Sequence, residues 1–164
     1  MDVMAVLTIE QNELRAAAVG LRELAASTTP PDRAVLTEAR WRVARSLLRH
    51  LPHKDRMVYA RLKLHHDPAV VATAKRFSDE AAALYAKFEQ HAERWTPEAV
   101  EAEWPLYRAG VQRLTHMLED RIASEERELL PHLAGVPTVP PSRSNEDRNW
   151  AGDGWKMRAR LGIG

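Results

Sequence analysis

Asp67-Pro68-Ala69-Val70-Val71-Ala72-Thr73-Ala74-Lys75-Arg76-Phe77-Ser78-Asp79-Glu80-Ala81-Ala82-Ala83-Leu84-Tyr85-Ala86-Lys87-Phe88-Glu89-Gln90-His91 carries a helix start and one continuous apolar face. Asp67 is a good N-cap, and Pro68 suits the first helical position, where an N–H would have no partner. Val70, Ala74, Phe77, Ala81, Leu84, Phe88 and His91 then recur at spacings of three and four, the period of a buried helical stripe. A chain that repeats this pattern four times with short connections predicts a bundle.

The pattern does repeat. Thr8-Ile9-Glu10-Gln11 reads as a capping box, followed by Leu14, Ala18, Leu21 and Ala25. Pro30-Pro31 ends that helix. A second helix is expected from about Asp32, with Leu36, Ala39, Val43, Leu47, His50, Lys54 and Met57 on one stripe. Pro52 should kink it or break its ladder locally, because proline has no N–H and clashes with the carbonyl four residues back. Thr96-Pro97-Glu98 opens a short helix, and Trp104-Pro105 interrupts it and starts a longer one. Val111, Leu114, Leu118, Ile122, Glu125 and Leu129 line the last helix up to Pro131. No period-2 alternation and no Asn-Gly or Asp-Gly hairpin predicts a strand. The expected fold is all-α, an up-down-up-down four-helix bundle with a short extra helix before the last one.

Residues 1–133 form the expected bundle domain, and 134–164 differ in kind. Pro137, Pro140, Pro141, Ser142, Ser144, Asn145, Gly152, Gly154 and Gly162 predict an extended or disordered tail. Trp150 and Trp155 are large aromatics for a solvated segment. They are expected either to latch the tail onto the bundle or a dimer mate, or to dock a protein partner.

Composition narrows the function. The chain has 164 residues, 24 Lys and Arg against 23 Asp and Glu, seven His and no Cys. A net charge of +1 argues against a nucleic-acid partner. Without cysteine there are no disulfides, thiolate metal sites or cysteine nucleophiles, which suits a reducing, cytoplasmic setting. No apolar run approaches a membrane span, and the N-terminus lacks the pattern of a signal peptide. Dinucleotide-binding, phosphate-loop, nucleophile-elbow, His-Glu-x-x-His and EF-hand motifs are all missing. No nucleophile–base pair stands out, so an enzyme is the weaker expectation. His65-His66 should lie in a loop, and His116 with Asp120 on an exposed face.

The informative residues are polar ones on core stripes: Gln11, His50, Lys54, Glu125 and, flanking its stripe, Glu80. Each is costly to bury unless partnered. Three of them also have a plain alternative. Gln11 serves a capping box, His50 is a satisfied core histidine, and Glu125 beside Glu126 belongs to a solvated face.

His50-Leu51-Pro52-His53-Lys54-Asp55-Arg56-Met57-Val58-Tyr59-Ala60-Arg61-Leu62 resembles the second helix of hemerythrin-like (HHE cation-binding) domains. Arg121-Ile122-Ala123-Ser124-Glu125-Glu126-Arg127-Glu128-Leu129-Leu130-Pro131 resembles their fourth helix. Leu7-Thr8-Ile9-Glu10-Gln11-Asn12-Glu13-Leu14-Arg15 is similar to their first, where the family has a histidine in place of Gln11. The likeness covers about residues 5–133. It implies a bundle around a non-haem iron site, often di-iron, used for oxygen or nitric oxide binding, redox sensing or iron handling. Carried over residue by residue, His50 matches the second-helix ligand and Lys54 falls on the bridging glutamate. Ala81 and Tyr85 stand near the third-helix histidines. Arg121 stands at the fourth-helix histidine, with Glu125 or Glu126 as the nearby carboxylate. The chain resembles a diverged branch in which Glu80 and Glu125 replace histidines.

An ammonium cannot ligate a divalent metal and repels one. Lys54 is therefore expected to pair with Glu80, Glu125 or both inside the bundle. The expected function is a degenerate, metal-free site on an interaction or regulatory module. The alternative is a non-haem iron sensor or carrier with His50, Glu80 and Glu125 as metal ligands.

Overall fold

The structure is a computed structural model and describes residues 2–134, 136 and 150–163. Among these the chain is helical and contains no strand. Helix α1 spans Val3–Ala25 and α2 spans Arg33–Lys54. A π-helical turn, Asp55–Tyr59, joins α2 to the helical turn α3, Ala60–Leu62. Then come α4 (Pro68–Arg94), the short α5 (Pro97–Ala102), α6 (Trp104–Glu128), a 3-10 turn at Leu130–Leu133, and α7 (Trp150–Arg160). No helix among the described residues is long and apolar enough to cross a membrane.

The bundle runs up-down-up-down. Glu10 meets His50 and Glu13 meets Arg49, so α1 and α2 are antiparallel. Arg15–Glu126 and Arg22–Glu119 set α1 against α6 in the same sense. Arg121 on α6 meets Glu80 on α4, while Arg76 meets Glu128. The stripes named above supply the core, including Leu14, Val43, Leu47, Phe77, Leu118 and Ile122. The caps at Asp67 and Thr96 form as the sequence predicts, accepting from the N–H groups of Ala69 at 2.9 Å and Ala99 at 3.2 Å.

Four features differ from the sequence reading. The first helix starts before Thr8. Asp2 is its N-cap, accepting from the Met4 N–H at 3.3 Å, and the Thr8 hydroxyl donates back to the Met4 carbonyl at 2.8 Å. Buried Leu7 extends the stripe N-terminally, which makes the longer helix worth forming. Gln11 therefore sits mid-helix and buried, outside any cap.

The second concerns Pro52. The helix absorbs it and changes pitch just beyond, where the Ala60 N–H reaches the Asp55 carbonyl across a π turn. A π turn holds one extra residue and advances the inward face. Val58 and Tyr59 are thus buried where the α-helical stripe had placed Met57.

The third is the tail. Residues 150–160 are helical, not extended, and α7 packs against α2 and α4. Gly162 closes it in the left-handed conformation (φ 77). The Gly162 N–H reaches the Ala159 carbonyl at 3.1 Å and the Ile163 N–H reaches Arg158 at 3.0 Å, a Schellman cap. The fourth is the latch. Met157 and Leu161, one helical turn apart, are buried against Ala44 and Ala92. Arg160 adds an ion pair to Glu89 at 3.0 Å. Trp155 is 71% exposed. The Trp150 side chain and the Pro137–Asn145 stretch lie outside the described residues.

Candidate functional site

One end of the bundle interior is ionic. Glu125, on α6, is fully buried. Both of its oxygens accept from the Lys54 ammonium at 2.8 Å. Its Oε1 also accepts from the Tyr59 hydroxyl at 2.7 Å and from Arg121 Nε at 2.8 Å. The π turn is what brings Tyr59 here. Arg121 is buried too. It reaches outward to Glu80 Oε2 at 2.8 Å, across to the Tyr59 hydroxyl at 3.2 Å and to the Phe77 carbonyl, with its guanidinium carbon 4.5 Å from the centre of the Phe77 ring. Burial alone would push the Glu125 carboxyl up, but Lys54 and Arg121 overcome it and hold the group below its ordinary value. Burial, and then the Glu125 charge, push the Tyr59 hydroxyl far up, so it remains a donor.

A second buried carboxylate completes the cluster. Glu10 on α1 accepts from His50 Nδ1 at 2.9 Å and lies 2.6 Å from His53 Nδ1. Burial, and then the nearby Lys54 charge, lower His50 to about 4, so the imidazole is neutral near pH 7. Its one ring proton then sits on Nδ1, shared with Glu10. Nε2 is left as a buried lone pair without a hydrogen-bond partner among the described residues. The Gln11 side-chain nitrogen is likewise buried and unpartnered there. Two buried cations, Lys54 and Arg121, thus share Glu125, and a second buried carboxylate, Glu10, is held through His50. Pairing of this kind is what makes charge tolerable in an interior.

A family model, the hemerythrin HHE cation-binding domain, matches residues 2–133. The chain belongs to this family. No curated protein and no solved structure matches it. Within the hemerythrin fold, Lys54, Ala81, Tyr85 and Arg121 border one void of about 10 Å³, room for about one water molecule. The side chains at these positions do not fit an iron site. Lys54 and Arg121 are donors and cations, Ala81 has no donor atom, and the Glu125 oxygens are engaged by other groups. Near this cluster, His50 Nε2 is a buried lone pair without a hydrogen-bond partner among the described residues. Among the described residues no group of three or more His, Asp or Glu side chains can hold a metal.

The expected site residues therefore divide. His50, Lys54 and Glu125 come together at this ionic end, and Lys54 pairs with Glu125. It does not pair with Glu80, which lies on the exposed rim and is held by Arg121. Glu10 and Tyr59 are members that the sequence reading missed. Glu10 was legible, since it falls three residues after Leu7 and four before Leu14. Tyr59 was not, because its inward direction depends on the π turn. His65 and His66 stack in the loop before α4, with ring centres 4.3 Å apart, and His65 Nδ1 accepts from the Asp67 N–H at 3.0 Å.

Proposed function

We propose that this hemerythrin-like domain has exchanged its metal for internal charge and works as an interaction or regulatory module. The observation that carries the reading is the Lys54 ammonium, 2.8 Å from both oxygens of Glu125 at the position of a bridging ligand. A positive charge there fills the electrostatic role of a cation and repels a divalent one. Support for the interaction role is the exposed Trp155 on docked helix α7, a contact point for a second copy or a protein partner. The cysteine-free composition suits a cytoplasmic setting.

The competing reading is a non-haem iron sensor or carrier built on His50, Glu80 and Glu125. It draws support from the free His50 Nε2 lone pair. Metal analysis of freshly purified protein separates the two. The expected result is iron below about 0.1 equivalent in wild type and a gain of iron in a Gln11→His/Lys54→Glu variant, as carboxylate and imidazole donors are restored. One or two equivalents of iron in wild type, with near-ultraviolet charge-transfer absorption, would overturn the metal-free reading.

A further inference from the structure

About 14 residues along α2 from Lys54, or roughly 20 Å at 1.5 Å per residue, the interior contains another buried cation. Arg40 is 5% exposed and borders a cavity of about 30 Å³ between α2, α4 and α6, room for about two water molecules. Met157 and Leu161 of α7 close one wall. Arg40 alone among the described lining residues carries a full charge. It donates from Nη2 to the Trp95 carbonyl at 2.7 Å, and no carboxylate of the described residues pairs with it. Glu101, which borders an adjoining void with Arg40, has both oxygens taken by Arg33 at 2.8 Å.

Two further polar atoms in the same lining, His91 Nε2 and the Tyr107 hydroxyl, are buried without a partner among the described residues. The His91 and Tyr107 rings are 5.7 Å apart, and the Arg40 guanidinium lies 5.5 Å from the centre of the Tyr107 ring. Burial, then Arg40 and Arg113, lower His91 to about 4, so it is neutral and adds no charge of its own. Burial raises Tyr107 to about 12, so its hydroxyl keeps the proton. The cavity thus combines a positive centre, two further polar groups and an apolar remainder. Buried charges and polar groups are ordinarily paired, and each of these three has unused bonding capacity.

We propose that this cavity binds a small planar oxyanion of the carboxylate or nitrate class, with Arg40 as counter-charge and Tyr107 and His91 as flanking donors. A guanidinium presents parallel N–H groups that match two oxygens of such an anion. The low-dielectric lining strengthens each contact, and the cavity volume excludes larger ligands. Helix α7, resting on Met157 and Leu161, covers the ligand.

The test is titration of the full chain with sodium nitrate and with sodium formate, each replacing sodium chloride at constant ionic strength. Calorimetry and thermal melting are the readouts. We expect one saturable site and a melting temperature raised by roughly 5 °C near saturation. Arg40→Met removes the charge at similar length and should abolish both responses, while Tyr107→Phe should weaken binding about tenfold or less. Absence of saturable binding up to about 50 mM, weaker than any useful site, would overturn the proposal. So would an unchanged response in Arg40→Met, which would mark a general salt effect. If Arg40→Met does not fold, Arg40→Lys decides. It keeps the charge and loses the planar fork, so weaker nitrate binding supports the assignment and equal binding refutes it.

Discussion

The two ends of this bundle bury cations under opposite terms. Lys54 and Arg121 share Glu125 at distances of 2.8 Å, with Glu10 as a second buried carboxylate nearby. Arg40, at the other end, meets the Trp95 carbonyl, the Tyr107 ring and a cavity. The first cluster sets two buried cations beside two buried carboxylates of the same chain. The second carries a net positive charge and has donors to spare. Burying a charge is tolerable when the opposite charge comes from the same chain, and otherwise leaves a demand that a ligand can meet. On the two readings proposed above, the ionic end substitutes for a cofactor and the Arg40 end is a binding site.

The largest expected effect breaks the ionic end. Glu125→Ala leaves Lys54 and Arg121 without their shared carboxylate and should cost about 3–5 kcal/mol in urea unfolding. Lys54→Met keeps the Arg121–Glu125 and Tyr59–Glu125 bonds, so its cost should be clearly smaller, about 1–2 kcal/mol. Equal losses in the two variants would show that the cluster is not organised around Glu125.

The next effect is a pH dependence common to both ends. His50 and His91 are each lowered from 6.5 to about 4 in the folded protein. Unfolded histidines therefore bind more protons than folded ones between those values. The stability they contribute is present above about pH 6.5 and lost as pH falls toward 4, by roughly 2–3 kcal/mol for each residue. Denaturant unfolding at several pH values checks this. His50→Gln and His91→Gln should each flatten the slope, and a slope unchanged in both variants would contradict the burial of neutral imidazoles.

The smallest effect sharpens the contrast. Arg40→Met strands no carboxylate, so its stability in chloride should lie within about 1 kcal/mol of wild type, on the stabilising side if the lost carbonyl bond is outweighed. A loss as large as that of Glu125→Ala would reveal a counter-charge for Arg40 and remove the difference between the two ends.

Much of the ionic end was legible in the chain. Lys54 and Glu125 fall on apolar stripes, and a polar residue at such a position has to be paired, so their meeting follows from periodicity and the cost of burial. Glu10 and Arg40 also fall on apolar spacings. Glu10 is framed by Leu7 and Leu14, and Arg40 by Leu36 and Val43. Their spacing equally allows a register in which the neighbouring residue faces inward, which is why Gln11 and Ala39 drew attention instead. Tyr59 lay beyond that reasoning, because a π turn shifts the helical phase and no local residue pattern announces it. The tail misled for a related reason. Its glycines and prolines signal irregular chain, while the helix at its end depends on Met157 and Leu161 finding Ala44 and Ala92 on two other helices.

The sequence by itself determined four amphipathic helices, their short connections and the inward place of Lys54 and Glu125. Those are consequences of a 3.6-residue period and of apolar burial, both local properties. Only the tertiary structure decided which carboxylate each cation meets, that Glu80 stays on the rim, and that Arg40 meets none among the described residues. Charge pairing is set by distances of a few ångströms between helices remote in sequence, and no single helix contains that information.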